Sequence, residues 1–504
     1  MAENNISKKN YVIRNVISNL LYQVVVIVMG LIIPRLYLEN FGSEVNGLVS
    51  TVKQVFVYLM LLEAGVGLAS QQALYKPIAT DDKDKINGIL SATKVHYNRT
   101  GFLYAALMMI FAIGYPFVIS TNLPKSTCFL IVLFYGLPAV ISFFVQGKYR
   151  ILLEGTGKGY ILTTFSTIMV LVNSILKILL LVFTNNLLLV QSLYCLEHIL
   201  QMFLVIWYVK KHYPWVKLNV KPDIAAISQK NSVLLHQISG MIFNNTDAIL
   251  ISMFCGFKVV SVYMIYLMFF QYIDTFITAI STSYTYKLGQ IYQTEKEKFK
   301  RYFDAYEAVF ITAIFIVFTL MATFLLPIIE LYTKGITDID YYNPMLLVLF
   351  AVMKLLTNSK IPCNDVLNFE GVFEKTRHHA VIEAVLNVTV SVVAINLWGI
   401  IGGIIGTIAA LLYRGNMMIY YANKKILSRS LIKTYRKYIV NFTLFIIILI
   451  VLGVSPGAST SFVGVVLKCI MHALWVAPLY IIVNLIIEKE TIATIKELGR
   501  SIRK

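Results

Sequence analysis

The sequence predicts an all-α polytopic membrane protein with about 14 transmembrane helices. Composition gives the first reason: 58% of the 504 residues are hydrophobic and 14% are charged, whereas about 25% of the residues of a soluble domain are charged. Hydropathy patterning gives the second, because apolar runs of about 20 residues recur along the whole chain, and each can cross a hydrocarbon core of about 30 Å. Nearly all of the chain is therefore expected to lie in a membrane.

Polar loops divide the apolar sequence into 14 predicted spans. These cover residues 12–34, 45–72, 101–120, 127–146, 160–184, 188–209, 232–255, 259–285, 308–329, 344–368, 379–397, 399–422, 438–454 and 462–487. The eleventh and twelfth are separated only by a very short turn in the sequence NLWGIIGGIIG. The first apolar run is too long for the core of a cleavable signal, so it is expected to remain as a span.

Basic residues are distributed unequally between alternate loops. One set comprises the N-terminus, the C-terminal tail and residues 74–100, 147–159, 209–230, 286–304, 369–378 and 414–437. Counted together with Arg14 at the start of the first span, this set carries 35 of the 44 lysines and arginines, whereas the opposite set carries four. Because loops rich in Lys and Arg stay in the cytoplasm, both termini are predicted to be cytoplasmic. The same pattern accounts for the net charge of +18, so no nucleic acid is expected as a partner.

Motifs for an enzyme or a metal site do not emerge from the sequence. Five cysteines are scattered in or beside apolar runs without a C-x-x-C pair, and they are interpreted as small core residues. The sequence EGTGKGY resembles a phosphate loop, but Leu152 stands where that motif needs glycine, and Gly159 replaces the Ser or Thr that follows its lysine. It is interpreted as a short cytoplasmic turn.

Two halves of the chain resemble each other. FGSEVNGL after the first span matches CGFKVVSV after the seventh, with Gly42 and Gly256 at equivalent places. LYKPIATDDKDKI after the second span matches TYKLGQIYQTEKEKF after the eighth, and an amphipathic helical stretch follows each. Copies displaced by an even number of spans have the same orientation in the membrane. In transporters, this arrangement places a binding cavity between the two copies.

The repeat divides the chain into three predicted regions. These are an N-terminal six-helix lobe at 1–215, a C-terminal six-helix lobe at 216–425, and residues 426–504. The last region is predicted to contain a basic interfacial linker, two additional transmembrane helices and a cytoplasmic tail. Its sequence SRSLIKTYRKYI is interpreted as a basic helix that touches anionic lipid headgroups.

Polar residues recur at helical spacing inside five spans, and each set shares one helix face. The candidates for a polar substrate cavity are Asn19 and Gln23 in the first span, Lys53 in the second, Gln237, Asn244 and Asp247 in the seventh, Gln271 and Asp274 in the eighth, and Lys354 and Asn358 in the tenth. Polar groups inside a membrane usually face the protein interior or a water-filled cavity. These residues therefore predict a polar cavity lined by the two lobes.

Each candidate also has a structural interpretation. Lys53 and Lys354 favour the cavity, since they lie about 12 and 15 Å inside their spans. For Asp247, a structural ion pair or hydrogen bond is as compatible with the sequence as a role in binding substrate or an ion. Its neighbours Asn245 and Thr246 are expected to hydrogen-bond another helix. The acids are mixed with the lysines, so a strongly cationic lumen is not evident.

Four further polar residues favour structural roles. Glu197 and His198 are expected to make local helix contacts rather than a proton relay. Asp365 and Glu383 lie near the cytoplasmic ends of their spans, where solvation is the simpler interpretation.

The chain resembles the multidrug/oligosaccharidyl-lipid/polysaccharide (MOP) exporter superfamily, and within it the bacterial polysaccharide transporters, the Wzx-like lipid-linked oligosaccharide flippases. The resemblance covers essentially the whole chain. It rests on the twelve-plus-two plan of spans, on NVISNLLYQVVVIVMGLIIPRLYLENFGSEVNGL, and on NNTDAILISMFCGFKVVSVYMI at the head of the second half. Asp247, Gly256 and Tyr263 occupy the places of a frequent signature of such proteins.

The resemblance implies two parallel, MATE-like six-helix lobes that alternate access. The implied substrate is an undecaprenyl-diphosphate-linked oligosaccharide repeat unit, moved across the bacterial cytoplasmic membrane for cell-surface polysaccharide biosynthesis. No resident cofactor is expected, although a coupling cation, H⁺ or Na⁺, is compatible with the intramembrane acids. Membrane lipids and other polysaccharide assembly proteins are the expected partners.

Two other functions were weighed against the flippase. A cation-coupled multidrug or small-metabolite antiporter of the same fold is the alternative, and the two extra spans argue against it. A membrane enzyme such as a polymerase is disfavoured because no predicted external loop exceeds about 15 residues, so the protein is not expected to be an enzyme.

Overall fold

The computed structural model describes residues 2–227, 245–454, 461–488 and 494, and every regular element in these residues is helical. In chain order the helices are α1 (Ala2–Leu59), α2 (Leu61–Ala79), α3 (Lys83–Val118), α4 (Lys125–Phe144), α5 (Gly147–Gly155), α6 (Gly159–Phe183), α7 (Leu187–His212), α8 (Asn245–Cys255), α9 (Phe257–Thr294), α10 (Lys296–Tyr332), α11 (Pro344–Ser359), α12 (Ile361–Glu370), α13 (Phe373–Trp398), α14 (Ile400–Tyr420), α15 (Leu431–Leu452) and α16 (Phe462–Ile487). The predicted all-α polytopic class is confirmed.

Membrane-length helices dominate this architecture. Twelve helical segments of the described residues are long and apolar enough to cross a membrane. One of them, Ile17–Glu63, has 47 residues, which as a straight helix would extend about 70 Å, more than twice a hydrocarbon thickness. Non-helical φ and ψ at Gly42 divide it, where the sequence places two spans. The total of fourteen spans stays a prediction.

The chain forms two compact units. The N-terminal unit is Met1–Val260 and the C-terminal unit is Ser261–Lys504. Their boundary falls in the first turn of α9, which begins at Phe257. The predicted lobe boundaries at 215 and 425 stay predictions.

Backbone geometry at two glycines supports the internal repeat. Gly42 has φ of 75° and Gly256 has φ of 83°, and these are the glycines that the aligned sequences FGSEVNGL and CGFKVVSV share. Residues with a Cβ rarely adopt such φ values. Both halves therefore use glycine for the same purpose, which is to break the helix that comes before.

Two long helices occupy equivalent places in the two halves. Helix α3 has 36 residues and α10 has 37, and each begins as the amphipathic stretch predicted for the loop and continues into the next span. The apolar residues of both stretches are buried, among them Ile89 and Tyr97 in α3 and Phe299 and Tyr302 in α10. Their helical spacing was therefore a correct indicator of a packed face.

Close helix packing explains the very short turn between the eleventh and twelfth predicted spans. Helix α13 ends at Trp398 and α14 begins at Ile400. A Cβ added to Gly402 would meet the backbone carbon and oxygen of Ala394 at 2.1 Å. A Cβ on Gly406, one turn later, would meet Ser391 Oγ at 2.1 Å. Small residues four apart thus let the two helices touch along their backbones.

A buried ion network anchors the basic linker to α10. The carboxylate of Glu307 is fully buried and accepts hydrogen bonds from Arg429 at 2.7 Å, Lys437 at 2.8 Å and Thr434 at 2.7 Å. Asp304 pairs with the same Arg429. Lys433 also pairs with Asp304, at 2.9 Å, so three cations of the linker compensate two carboxylates of α10 inside the C-terminal unit.

This network corrects one expectation about the linker. Arg429 is 8% exposed and Lys437 is 1% exposed, so the prediction that the basic residues of this sequence face lipid headgroups is wrong for both. Each lies in the interior because Glu307 would otherwise be an uncompensated buried charge.

A second polar contact joins the two C-terminal helices. The side-chain amides of Asn441 in α15 and Asn484 in α16 exchange two hydrogen bonds of 3.0 Å.

We expect Gly402→Ala to destabilise the α13–α14 pair, because the added methyl group meets backbone atoms that cannot move aside. Overpacking of this kind costs about 1–3 kcal/mol. The matched control is Gly415→Ala on the same helix, where an added Cβ meets nothing within 4 Å. Thermal unfolding in detergent should show a lower midpoint for Gly402→Ala alone. Equal midpoints would contradict the packing.

Candidate functional site

The N-terminal unit contains a polar cavity of about 670 Å³. Helices α1 to α7 all contribute to its lining. Asn15, Arg150, Glu154 and Gly159 line one end of it, and by the distribution of basic residues these helix ends are predicted to be cytoplasmic. The other end reaches Lys53 and Tyr194, well inside the predicted spans.

Lys53 is the cationic side chain at the inner end of the cavity. Its side chain is exposed to the cavity, and its ammonium group lies 5.6 Å from the centre of the Tyr135 ring. Among the described residues, no carboxylate lies within ion-pair distance of it. A lysine held by an aromatic face but not neutralised by an acid can still bind an anion.

The Tyr135 ring packs at a tilt against the Tyr194 ring, which Lys177 contacts. The Tyr135 and Tyr194 rings are 4.6 Å apart, and the ammonium group of Lys177 lies 5.8 Å from the Tyr194 ring. Lys53 and Lys177 thus lie against the two members of one aromatic pair, but only Lys53 lines the cavity.

Hydrogen bonds between α1 and the α5–α6 region order one wall of the cavity. The Asn15 side chain donates to the Gly157 carbonyl at 3.0 Å, and the Thr163 hydroxyl donates to Asn19 Oδ1 at 3.3 Å. On the facing helices, the Gln201 amide donates to Ser166 Oγ at 2.6 Å. The wall therefore presents amide and hydroxyl groups, which suit a hydroxyl-rich ligand.

The charged end of the cavity is internally balanced. Arg150 pairs with Glu154 at 2.9 Å within α5. Glu63 in α2 accepts a hydrogen bond of 3.0 Å from the Tyr97 hydroxyl. With Lys53, the lining thus holds two positive and two negative side chains, so its charge is mixed, as the sequence indicated.

Sequence reasoning overlooked several residues of this cavity. The sequence places Arg150 and Glu154 in the predicted cytoplasmic loop 147–159, yet α5 places both at the cavity. Their spacing of four residues was the available signal, because it puts an ion pair on one helix face. His198 also lines the cavity, and its Nδ1 lies 2.9 Å from the Tyr194 carbonyl oxygen one turn earlier. Glu197 contacts Asn173 on the adjacent helix, so local contacts are confirmed for both.

The predicted site residues separate into groups in the structure. Asn19 and Lys53 line the cavity of the N-terminal unit, whereas Gln23 is exposed and is not among its lining residues. Gln237 and Asn244 lie outside the described residues. The role of all these residues in substrate binding stays a prediction.

Asp247 lies in α8 and is 6% exposed. The hydroxyl of its neighbour Thr246 hydrogen-bonds the Tyr58 hydroxyl of α1, which confirms that Thr246 contacts another helix.

Three other candidates meet in the C-terminal unit. The Lys354 ammonium pairs with Asp274 Oδ2 at 2.6 Å, and the Asn358 amide donates to Asp274 Oδ1 at 2.8 Å. Lys354 is 8% exposed, so its charge is neutralised beside α9. Gln271, one turn before Asp274, is exposed.

The interpretation of Asp365 and Glu383 as solvated acids is wrong. Asp365 is 6% exposed and accepts hydrogen bonds of 3.1 Å from Thr285 and Tyr306. Glu383 is 8% exposed and pairs with Lys360 at 3.6 Å and Arg414 at 3.5 Å. Burial forces both carboxylates to find partners inside the protein.

No group of three His, Cys, Asp or Glu side chains in the part of the chain that the structure describes could hold a metal ion.

Comparisons with known proteins give the fold. No protein-family model and no curated protein sequence matches the chain. The lipid II flippase MurJ, in an inward closed conformation, superposes with a TM-score of 0.69 at 13% identity, over 95% of this chain and 100% of that chain. The fold is that of MurJ and the MATE transporters.

Two transporter structures superpose on the chain with the same fold. An inward-facing multidrug resistance MATE family transporter of the MOP superfamily superposes with a TM-score of 0.63 at 15% identity, over 82% of this chain and 96% of that chain. A MOP superfamily transporter from Pyrococcus furiosus superposes with a TM-score of 0.54 at 16% identity, over 84% and 97%. The MATE-like architecture is thus confirmed, and the resemblance to the polysaccharide branch stays a prediction.

We expect Lys354 and Asp274 to be energetically coupled, because each would lose the partner that compensates its charge. Lys354→Met and Asp274→Asn should each lower the free energy of unfolding by about 2 kcal/mol, less than a fully buried pair would lose. The double variant should lose less than the sum, with a coupling of about 1 kcal/mol or more. Unfolding in mixed micelles measures all three.

The control for this cycle is Gln271→Ala, on the same helix one turn away, which should change stability by less than about 0.5 kcal/mol. Strictly additive effects of the two charge-removing substitutions would show that the ion pair contributes nothing to the fold.

Proposed function

We propose that this protein is a flippase that moves undecaprenyl-diphosphate-linked oligosaccharide repeat units across the bacterial cytoplasmic membrane by alternating access. The product of that step feeds cell-surface polysaccharide biosynthesis. The observation that carries the proposal is the cavity of the N-terminal unit. It combines Lys53, which pairs with no carboxylate of the described residues, with hydroxyl and amide groups inside a membrane-spanning bundle.

Such a cavity meets the physical requirement for moving the proposed substrate across a membrane. A sugar-diphosphate head is hydrated and cannot cross hydrocarbon without compensating hydrogen bonds, whereas its polyprenyl tail can stay in the bilayer. A protein that moves it must offer a wet, hydrogen-bonding path for the head alone. The cavity volume of about 670 Å³ falls within the range of about 300–1,000 Å³ typical of ligand sites.

Each part of the head has a counterpart in the lining. Lys53 offers a positive charge for a diphosphate oxygen, and Asn19, Thr163 and Gln201 offer amide and hydroxyl groups for sugar hydroxyls. The ring of Tyr194 provides an apolar surface on which the CH face of a sugar ring can pack. The balanced Arg150 and Glu154 at the entrance would then admit the head without trapping it.

Orientation, energy source and partners are part of the same proposal. Both termini would lie in the cytoplasm, so that the cavity end at Arg150 faces the side where the substrate is made. H⁺ or Na⁺ would be the coupling cation if transport is driven by a gradient. Other polysaccharide assembly proteins would receive the flipped product.

A cation-coupled multidrug or small-metabolite antiporter is the second candidate. The observation in its favour is the likeness to a MATE family multidrug resistance transporter. The carboxylates of Glu63 and Glu154 in the cavity lining would then serve a cationic substrate, and Lys53 would oppose it.

Reconstitution of the purified protein distinguishes the two candidates. Liposomes carrying a fluorescent polyprenyl-diphosphate oligosaccharide should show protein-dependent movement of the sugar to the other leaflet, measured by loss of protection from an impermeant quencher. Empty liposomes are the control. The same liposomes, given a cationic dye with an imposed H⁺ or Na⁺ gradient, should accumulate none. Dye uptake without sugar movement would overturn the flippase assignment.

We expect Lys53→Ala to reduce this sugar movement at least tenfold, since one charge-assisted hydrogen bond contributes about 1.5–3 kcal/mol. The matched control is Lys177→Ala, which removes the lysine on the other member of the same tyrosine pair but outside the cavity lining. Both variants should reach the membrane in wild-type amounts. Equal transport by Lys53→Ala and wild type would remove Lys53 from the site.

A further inference from the structure

A second pocket lies on the N-terminal unit, away from the cavity described above. Residues 213–224, here called the strap, follow α7 as an irregular segment and lie along the first half of α3. The Asn87 side chain accepts from Lys217 N at 3.0 Å and donates to the Trp215 carbonyl at 3.3 Å. Ser91 Oγ donates to the Val220 carbonyl at 2.8 Å.

These contacts continue along one face of α3. Lys94 Nζ donates to Asn219 Oδ1 at 3.1 Å, so residues 87, 91 and 94, spaced four and three apart, all hold the strap. The strap is thus fixed by side chains of α3 together with the Gly88 carbonyl oxygen, which accepts from Asp223 N at 3.0 Å.

Between the strap, α3 and α5 lies a pocket of about 610 Å³. It is lined by Lys94, Lys148, Tyr149, Val216, Lys217, Leu218, Asn219 and Val220. None of these residues lines the cavity that contains Lys53. The two sites are therefore separate, although both belong to the N-terminal unit.

The charge of this pocket is of one sign. Three of the described lining residues are lysines and none is acidic. Lys148 is 6% exposed, and its ammonium group donates to the Phe144 carbonyl at 2.8 Å. In the part of the chain that the structure describes, no carboxylate lies within ion-pair distance of it. Burial, together with the nearby positive charge of Lys94, lowers the pKa of Lys148 to about 8.

Three lysines around one pocket are electrostatically unfavourable without a counter-ion. Like charges repel, and a buried ammonium group has lost part of its hydration. An anion that accepts hydrogen bonds from several lysines at once would relieve both costs. The C-terminal unit supplies a contrast, since its buried Arg429 and Lys437 are neutralised by Glu307.

We propose that this pocket binds a phosphate-bearing anion, with Lys94, Lys148 and Lys217 as its ligands. The phosphate belongs either to the headgroup of an anionic phospholipid or to a soluble phosphate. Basic pockets at the cytoplasmic ends of transmembrane helices recognise anionic headgroups, and loops 74–100, 147–159 and 209–230, which form this pocket, are those predicted to be cytoplasmic. Val220 is 36% exposed and Ile224 is 54% exposed, so the strap also offers apolar contacts to lipid.

The test uses the full-length protein in phosphatidylcholine nanodiscs. Two probes are compared: nanodiscs in which a part of the lipid is phosphatidylglycerol, and inorganic phosphate added against chloride at equal ionic strength. Thermal unfolding and the number of lipids retained in native mass spectrometry are the readouts. Stabilisation by phosphatidylglycerol alone identifies a lipid headgroup, whereas stabilisation by both probes identifies a site for phosphate itself.

Lys94→Gln/Lys217→Gln should weaken the binding of the effective probe by on the order of tenfold. The fold should be retained, because glutamine at 94 keeps an N–H donor for Asn219 Oδ1 and the Lys217 side chain is exposed. The matched control is Lys210→Gln/Lys221→Gln, which removes the same charge from the end of α7 and from the strap outside the pocket lining. It should bind like wild type. The proposal fails if neither probe stabilises the wild type, or if the two double variants lose binding equally.

Discussion

The cost of placing a charged or polar group in hydrocarbon governs the interior of this protein. Such a group must meet a partner or water, and three polar clusters among the described residues illustrate three ways of satisfying this constraint. Lys53 faces a cavity, Lys354 pairs with Asp274, and Glu307 forms ion pairs with basic side chains of the linker. The clusters differ in what neutralises the charge.

Lys53 and Lys354 illustrate this difference. The sequence assigns them the same role, since each lies deep within a polar face of its span. The structure gives Lys354 a carboxylate partner at 2.6 Å and gives Lys53 the face of a tyrosine ring. An aromatic face stabilises a cation without cancelling its charge, so Lys53 retains the ability to bind an anion and Lys354 is largely satisfied by its own unit.

Conformation and packing repeat along the chain more faithfully than sequence does. The two halves share few residues, yet Gly42 and Gly256 both have a positive φ, and α3 and α10 have nearly equal lengths. A helix break that needs a positive φ can be made by few residues other than glycine, which is why this feature stays visible in the sequence after the surrounding residues have changed.

The sequence by itself determined the membrane class, the positions of most spans, the break at Gly42 and the polar face of each helix, because these depend on local hydrophobicity and on helical period. Tertiary structure decided which faces meet. Asp274 and Lys354 are 80 residues apart, and a period within one helix carries no information about the neighbouring helix. For the same reason Arg150 and Arg429, assigned to solvated or interfacial loops, were found at a cavity and in a buried ion network.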